Sequence, residues 1–391
     1  MIDPRQLTQL TTLDRDNVLS MSLDIDPTKP EHQTPNPAYR IWLHRAVHDL
    51  VERLPEGRRE EARRTARRIL ARVDETPPRG RGLAVFAGPD LWREYPLPIP
   101  LPNRVRYGRP DLMGLLWASA EYSPYAILIV ARDHARIAVA YLGGVAIVDD
   151  QVLHLDPSDW RFKSGRVRTA ARLSGISAGR GTQRDAFDAR IDAEHRKFWH
   201  EVATSATRDL DERGIDRLIL AGPEEATSAV RTALPAPLRN RIVGTIGLAA
   251  TAPVEEIARR TLPLALADRH RHEGALVADV LAGGPEGDRG VAGRAATLEA
   301  LMSGDVRVLV SARDVDGNVW ECHACGYIAA AQAERCPMCG GAFESAALAQ
   351  VLPVFARRHG ATLELIGPQQ SGRLADGLGG VLRHPRLARP A

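Results

Sequence analysis

The chain has 391 residues, 44% of them apolar and 26% charged, which excludes wholesale disorder and leaves room for two or three domains with cores of their own. Its net charge is only +3, so bulk electrostatics select no class of partner, although all but three of the 52 cationic residues are arginine, the exceptions being Lys29, Lys163 and Lys197. Arginine suits phosphate contacts through its rigid fork of donors, while a GC-rich genome accounts for the same bias.

No stretch of about twenty apolar residues exists, so no transmembrane helix is expected. Met1 to Asp16 is polar and does not read as a signal peptide. All four cysteines fall within 18 positions, which is metal spacing rather than a dispersed disulfide framework. A reducing, cytoplasmic setting is the expectation.

Three regions follow in chain order, expected as domains over 1–120, 121–252 and 253–391. In the first, Asn17 to Asp26 alternates as a strand ending at Pro27. Ala38 to Leu54 and Arg58 to Asp74 read as helices broken near Pro55 and Gly57, Leu83 to Ala87 as a buried strand, and Tyr95 to Pro102 as extended chain. In the second region, Ala126 to Val130 and Arg136 to Leu142 are strands joined by a turn at Arg132-Asp-His134. Gly144 to Val148 reads as a further strand followed by Asp149-Asp150, a pair open to Mg²⁺ recruitment or to a plain solvated turn. A polar, basic stretch covers Asp156 to Gln183. A long helix is predicted from about Asp185 to Arg213, with Phe187, Ile191, Phe198, Val202, Ala206 and Leu210 on its apolar face and Gly214 as its C-cap. Leu218 to Ala221 is the next strand. In the third region a helix includes Ala295 to Met302, a strand runs from Val306 to Val310, a helix from Ala346 to His359 and a strand from Ala361 to Ile366. Strands alternating with helices argue for α/β domains.

The strongest chemical signal is Cys322-His-Ala-Cys325 and, ten residues on, Cys336-Pro-Met-Cys339. Each pair offers two thiolates from one tight knuckle, and Gly326 and Gly340 stand where the backbone must turn. Together they predict a zinc ribbon over 320–342 with one structural zinc in a closed four-sulfur shell. His323 is expected to be a spectator, and a redox pair is the less fitting reading.

The second signal is charge. Arg161, Lys163, Arg166, Arg168, Arg172, Arg180, Arg184 and Arg190 face only Asp185 and Asp188, a surplus of six. Such clustering suits a polyanion site, and composition leaves a solvated loop equally open. Two glycines, Gly179 and Gly181, let backbone approach a ligand closely, and Gln183 offers an amide beside them. No P-loop or His-Glu-x-x-His is present, which leaves little for a nuclease or metallohydrolase reading. His134, His195 and His200 read as surface or helix-packing residues.

Gly179-Arg-Gly-Thr-Gln183, leading into a long charged helix, resembles the Gly-Arg-Gly-Gly-Gln loop of the archaeal and eukaryotic peptide chain release factor family. Ala361 to Ile366, then Gly372 and Gly377 to Arg383, is similar to that family's last domain, as is Gly293 to Ser311. An inserted zinc ribbon also occurs there, and Leu218 to Pro223 matches the strand after the central long helix. Val18 to Thr28, Asn36 to Trp42, Leu83 to Ala87 and Tyr125 to Gly144 resemble the bacterial branch. The resemblance implies a three-domain α/β ligand of the ribosomal A site, touching rRNA and P-site tRNA and partnered by a translational GTPase or a ribosomal stalk. It assigns peptidyl-tRNA hydrolysis to Gly181, Thr182 and Gln183, and rRNA contacts to Arg161, Lys163, Arg166, Arg168, Arg172, Arg180 and Arg184. The family's Gly-Gly-Gln is here Gly181-Thr182-Gln183, and the stop-codon-reading motifs of the eukaryotic first domain are not matched. Rescue of stalled ribosomes is therefore expected rather than ordinary termination, with non-catalytic hibernation as the alternative.

Overall fold

The computed structural model describes residues 15–154, 180–282 and 288–386; at 180–188, 288 and 386 it describes the backbone only. Two compact units make up the chain, Met1–Ser123 with Leu266–Ala391 in one and Pro124–Ala265 in the other.

The first segment contains β1 (Val18–Asp24), α1 (Ala38–Arg53), α2 (Glu56–Glu75), β2 (Gly82–Gly88), β3 (Leu91–Leu97), β4 (Arg104–Gly108) and α3 (Met113–Glu121). Its sheet is antiparallel in the order β3-β2-β1-β4. Alternation in β1 sends Leu19, Met21 and Leu23 to the face covered by α1 and α2. Ser20 and Ser22 take the other face, where Ser20 Oγ accepts from the Asp111 N–H (2.9 Å) and Ser22 Oγ donates to the Pro102 carbonyl (2.6 Å). The helices meet that core with Tyr39, Leu43, Val47 and Val51 on α1 and Ala62, Ala66, Ile69 and Val73 on α2. Leu54, forced into extended backbone before Pro55, separates them.

Just past β1, Asp26 is 2% exposed. Its Oδ1 accepts from the Thr28 N–H and Oγ1 (3.0 and 2.8 Å), and its Oδ2 from Arg81 Nε and Nη2 (2.9 and 2.5 Å). The Arg81 hydrogen bonds, against the opposing effect of burial, hold this carboxyl well below the usual range. A carboxyl that titrates lower when folded stabilises fully above its unfolded value near 3.9 and loses that contribution as pH falls below it. Asp26→Asn is therefore expected to cost about 1–2 kcal/mol near pH 7, Arg81 being half exposed. The difference from the parent should shrink in urea titrations near pH 3; an equal loss at both pH values would refute this account.

The second unit contains β5 (Tyr125–Val130), β6 (His134–Tyr141), β7 (Gly144–Val152), α4 (Arg180–Arg213), β8 (Leu218–Ala221), α5 (Glu224–Ala233), α6 (Ala236–Arg239) and β9 (Ile242–Ile246). Its sheet runs β7-β6-β5-β8-β9, with β5, β8 and β9 parallel and the β5-β6-β7 meander antiparallel. Parallel neighbours need crossovers, and helices α4 to α6 lie in those connections. β5 and β8 are buried throughout, as strands covered on both faces must be. Ala126, Leu128 and Val130 pack with Phe198, Val202, Ala206 and Leu210 of α4, while Tyr125, Ile127 and Ile129 pack on the opposite side with Ile257 and Ala265. Gly214 (φ 61°) closes α4 as expected, with the Ile215 N–H reaching back to the Leu210 carbonyl (2.9 Å).

Asp149-Asp150 does not follow a strand but lies inside β7, which continues to Val152 because β6 offers it a partner up to His134. The pairing skips one residue between Ile137 and Ala138, so Val148 is the extra residue of a bulge. Asp149 accepts from Ser205 Oγ (2.7 Å) and Gln151 Nε2 (2.5 Å), and Asp150 pairs with His134 Nε2 (2.5 Å). Both carboxylates are thus engaged by side chains, and the solvated-turn reading is corrected.

Helix α7 (Val254–Leu281) follows. The remaining elements are β10 (Asp288–Ala292), α8 (Arg294–Met302), β11 (Val306–Ala312), β12 (Asn318–Cys322), β13 (Ile328–Ala329), β14 (Phe343–Ala347), α9 (Leu348–Arg358), β15 (Thr362–Ile366), α10 (Pro368–Ser371) and β16 (Leu378–Arg386). The last strand inserts into the middle of its sheet, in the order β10-β16-β11-β15, antiparallel to β10 and β11, while β11 and β15 are parallel. The glycines of β16 have a packing reason: a Cβ on Gly379 would stand 2.6 Å from Val280 Cγ1 of α7. The helix expected from Ala346 begins at Leu348, because Phe343–Ala347 is consumed in pairing with β12.

Arg269 and Glu273, one turn apart on α7, are buried at 7% and 0% exposure. Arg269 Nε lies 3.4 Å from Glu273 Oε1, its Nη1 3.1 Å from Glu364 Oε2, and its Nη2 donates to the Leu365 carbonyl (2.8 Å). The Gly367 N–H donates to Glu273 Oε2 (3.2 Å), and His270 next door pairs with Glu121 (3.1 Å).

Candidate metal centre and the glycine-threonine-glutamine segment

Strands β13-β12-β14 form the small sheet that carries the cysteines. Two turns of one geometry present them. In the first, the Gly326 N–H donates to the Cys322 carbonyl (2.8 Å) and the Cys322 N–H to the Tyr327 carbonyl (2.8 Å). In the second, the Gly340 N–H donates to the Cys336 carbonyl (2.8 Å) and the Cys336 N–H to the Gly341 carbonyl (2.9 Å). Gly326 (φ 70°) and Gly340 (φ 74°) both take the left-handed conformation that side chains resist.

The knuckles bring the four sulfurs within 4.8 Å of one another, with Cys322 and Cys336 buried and Cys325 and Cys339 exposed. Cys322 Sγ lies 3.5 Å from Cys339 Sγ, and Cys325 Sγ 3.6 Å from Cys336 Sγ. A tetrahedral ion bonded to four sulfurs at roughly 2.3 Å sets its ligands about 3.8 Å apart, so the cluster fits a zinc-sized ion. Backbone N–H groups of Cys325 and then Ala324 aimed at the Cys322 sulfur bring its thiol down, while, against the pull of backbone N–H groups, the crowding sulfurs push the Cys325 and Cys339 thiols up, so these thiols titrate as one cluster. Cys322, Cys325, Cys336 and Cys339 would hold the ion, and four protein ligands leave no open position for catalysis. His323 is turned to Glu344, with Nε2 2.9 Å from Oε2, the place of a spectator.

Helix α4 begins at Arg180, five residues before the expected start, so the backbone of Gly181, Thr182 and Gln183 lies in its first turn. No proline or further glycine interrupts 182–213, and once nucleated a helix propagates through such a run. Arg161, Lys163, Arg166, Arg168 and Arg172 lie outside the described residues, as does Gly179, and Arg180 and Arg184 are described in backbone only. What sequence reasoning passed over are the charges around the ribbon, Glu321 and Glu344, and the Arg269–Glu273 pair, whose i, i+4 spacing on a helix was the available signal. Among the described residues, no helix is long and apolar enough to cross a membrane.

The chain is thus a multi-sheet α/β protein whose last part carries a four-cysteine ribbon consistent with a zinc site. Residues 110–266 match the family model described as bacterial archaeo-eukaryotic release factor family 10, so this segment, less than half of the chain, is similar to that family. No curated protein matches. Among solved structures, an archaeal translation termination factor, aRF1, is 15% identical at a TM-score of 0.26, over 97% of this chain and 96% of that one. Archaeoglobus fulgidus Pelota is 12% identical at 0.32, over 78% and 80%. Dom34 of S. cerevisiae, a translation termination-like factor described as interacting with Hbs1, is 8% identical at 0.39, over 78% and 81%.

Proposed function

We propose that this protein is a ribosome-associated translation factor that rescues stalled ribosomes by promoting peptidyl-tRNA hydrolysis. The observation that carries the reading is the family match over residues 110–266, the segment that contains Gly181, Thr182 and Gln183. In this reading Gln183 orients a water at the ester carbon of peptidyl-tRNA. The water oxygen bonds to that carbon, the bond to the tRNA 3′-oxygen breaks, and the water's proton ends on that oxygen. Gly181 gives the backbone room, while Arg180 and Arg184, with Arg161, Lys163, Arg166, Arg168 and Arg172, hold rRNA phosphates. Residues 1–120 face the decoding centre, 121–252 reach the peptidyl transferase centre, and 253–391 meet a translational GTPase. The zinc is structural, and the place of action is the cytoplasm.

A second reading, a non-catalytic hibernation factor of the Balon type, is favoured by Thr182: a β-branched residue restricts a position where the family has glycine. One experiment separates them. Ribosomes holding labelled peptidyl-tRNA in the P site and an empty A site are mixed with the protein, and release and pelleting are read together. Rescue predicts release that falls at least about 100-fold in Gln183→Ala with binding retained. Binding without release in the parent protein establishes the second reading, and failure to pellet with ribosomes overturns both.

A further inference from the structure

Edge strand β4 and the turn after it meet the ribbon through a run of arginines. Arg109 gives Nη1 and Nη2 to the two carboxylate oxygens of Glu321 at 2.6 and 3.3 Å, and the Glu321 side chain is only 13% exposed. Arg106 Nη2 lies 2.7 Å from Asp316 Oδ1, and Arg104 Nη2 donates to the Val315 carbonyl (3.4 Å). Buried Asp111 stands 3.5 Å from Arg104 and 3.1 Å from Arg106, keeping both guanidinium groups in place. From α9, Gln350 Nε2 donates to the Arg109 carbonyl (2.5 Å).

The acceptors on the far side sit in or beside the strand that delivers the metal ligands. Glu321 directly precedes Cys322, and Asp316 lies two residues before β12. A four-cysteine knuckle owes its fold to the ion, so the place of Glu321 depends on it. None of the arginines touches a ligand sulfur. An exposed ion pair contributes little, but a two-point, partly desolvated pair backed by hydrogen bonds to backbone carbonyls is of the stronger kind.

We propose that the ribbon is a metal-dependent clasp: with zinc bound, Glu321 and Asp316 hold Arg109 and Arg106, and loss of zinc releases residues 104–112 from the C-terminal part of the chain. The clasp concerns the protein's own conformation and stands whether or not the ribosomal reading does.

The test is hydrogen exchange on the full-length, zinc-loaded protein. Arg109→Gln, far in sequence from the cysteines, should keep one zinc per chain yet raise amide exchange in 104–112 about tenfold, the equivalent of one lost charge-assisted pair. Removing zinc with a chelator should raise exchange in the same amides, and Arg109→Glu combined with Glu321→Arg should restore protection relative to Arg109→Glu alone. Unchanged exchange at 104–112 after chelation, while ribbon amides 322–341 exchange freely, overturns the proposal. So does unchanged exchange there in Arg109→Gln.

Discussion

Cys336→Ser is expected to abolish metal binding and to unfold the ribbon, leaving the other sheets standing. The ion that the four sulfurs fit would join two knuckles carried on the short β13-β12-β14 sheet, with two residues in β13. So small a sheet has little apolar area to hold it together. Structural zinc sites of this kind have apparent binding free energies of about 10–16 kcal/mol near neutral pH, and binding there is folding. Removing one buried thiolate forfeits most of that. The clusters that hold the other sheets contain none of the cysteines, so far-UV circular dichroism should change little. Metal analysis should find one zinc per chain in the parent protein and none in the variant. Stoichiometric zinc in Cys336→Ser, or no zinc in parent protein purified without chelators, would sink the assignment.

The largest effect on stability away from the metal is expected at Arg269. Its side chain, 8% exposed, faces buried Glu273 and half-buried Glu364, and its guanidinium donates to the Leu365 carbonyl. Burial pushes the Glu273 carboxyl up, against the opposing pull of the Gly367 N–H and of Arg269. Arg269→Ala leaves that carboxylate buried without its counter-charge, at a cost of about 3–5 kcal/mol. The sign of the pH dependence follows. A carboxyl whose folded pKa is raised binds more protons folded than unfolded between its unfolded value near 4.3 and the raised one, so stability falls as pH rises through that window. The variant should therefore regain stability from about pH 7 toward pH 5, and Glu273→Gln added to it should recover part of the loss at neutral pH. Hydrogen exchange of β15 and α7 reads this locally, which a multi-unit chain requires. A loss under about 1 kcal/mol, or one that ignores pH, would show that the pair carries no such weight.

Taken alone, the sequence determined what depends on neighbours a few residues away. Two C-x-x-C pairs with following glycines define both knuckles, because metal-ligand spacing is a property of one turn of backbone. Continuous apolar runs at 126–130 and 218–221 announce strands covered on both faces, and Phe198, Val202, Ala206 and Leu210 announce the buried face of α4. Only the tertiary structure decided the rest. That β7 runs on through Asp149 depends on β6 lying beside it, and that Phe343–Ala347 is strand rather than helix depends on β12. β16 enters between β10 and β11, and Arg109 finds Glu321 across 212 positions. Such partners meet only after long loops close and shapes match, a cost and a reward that no local period encodes.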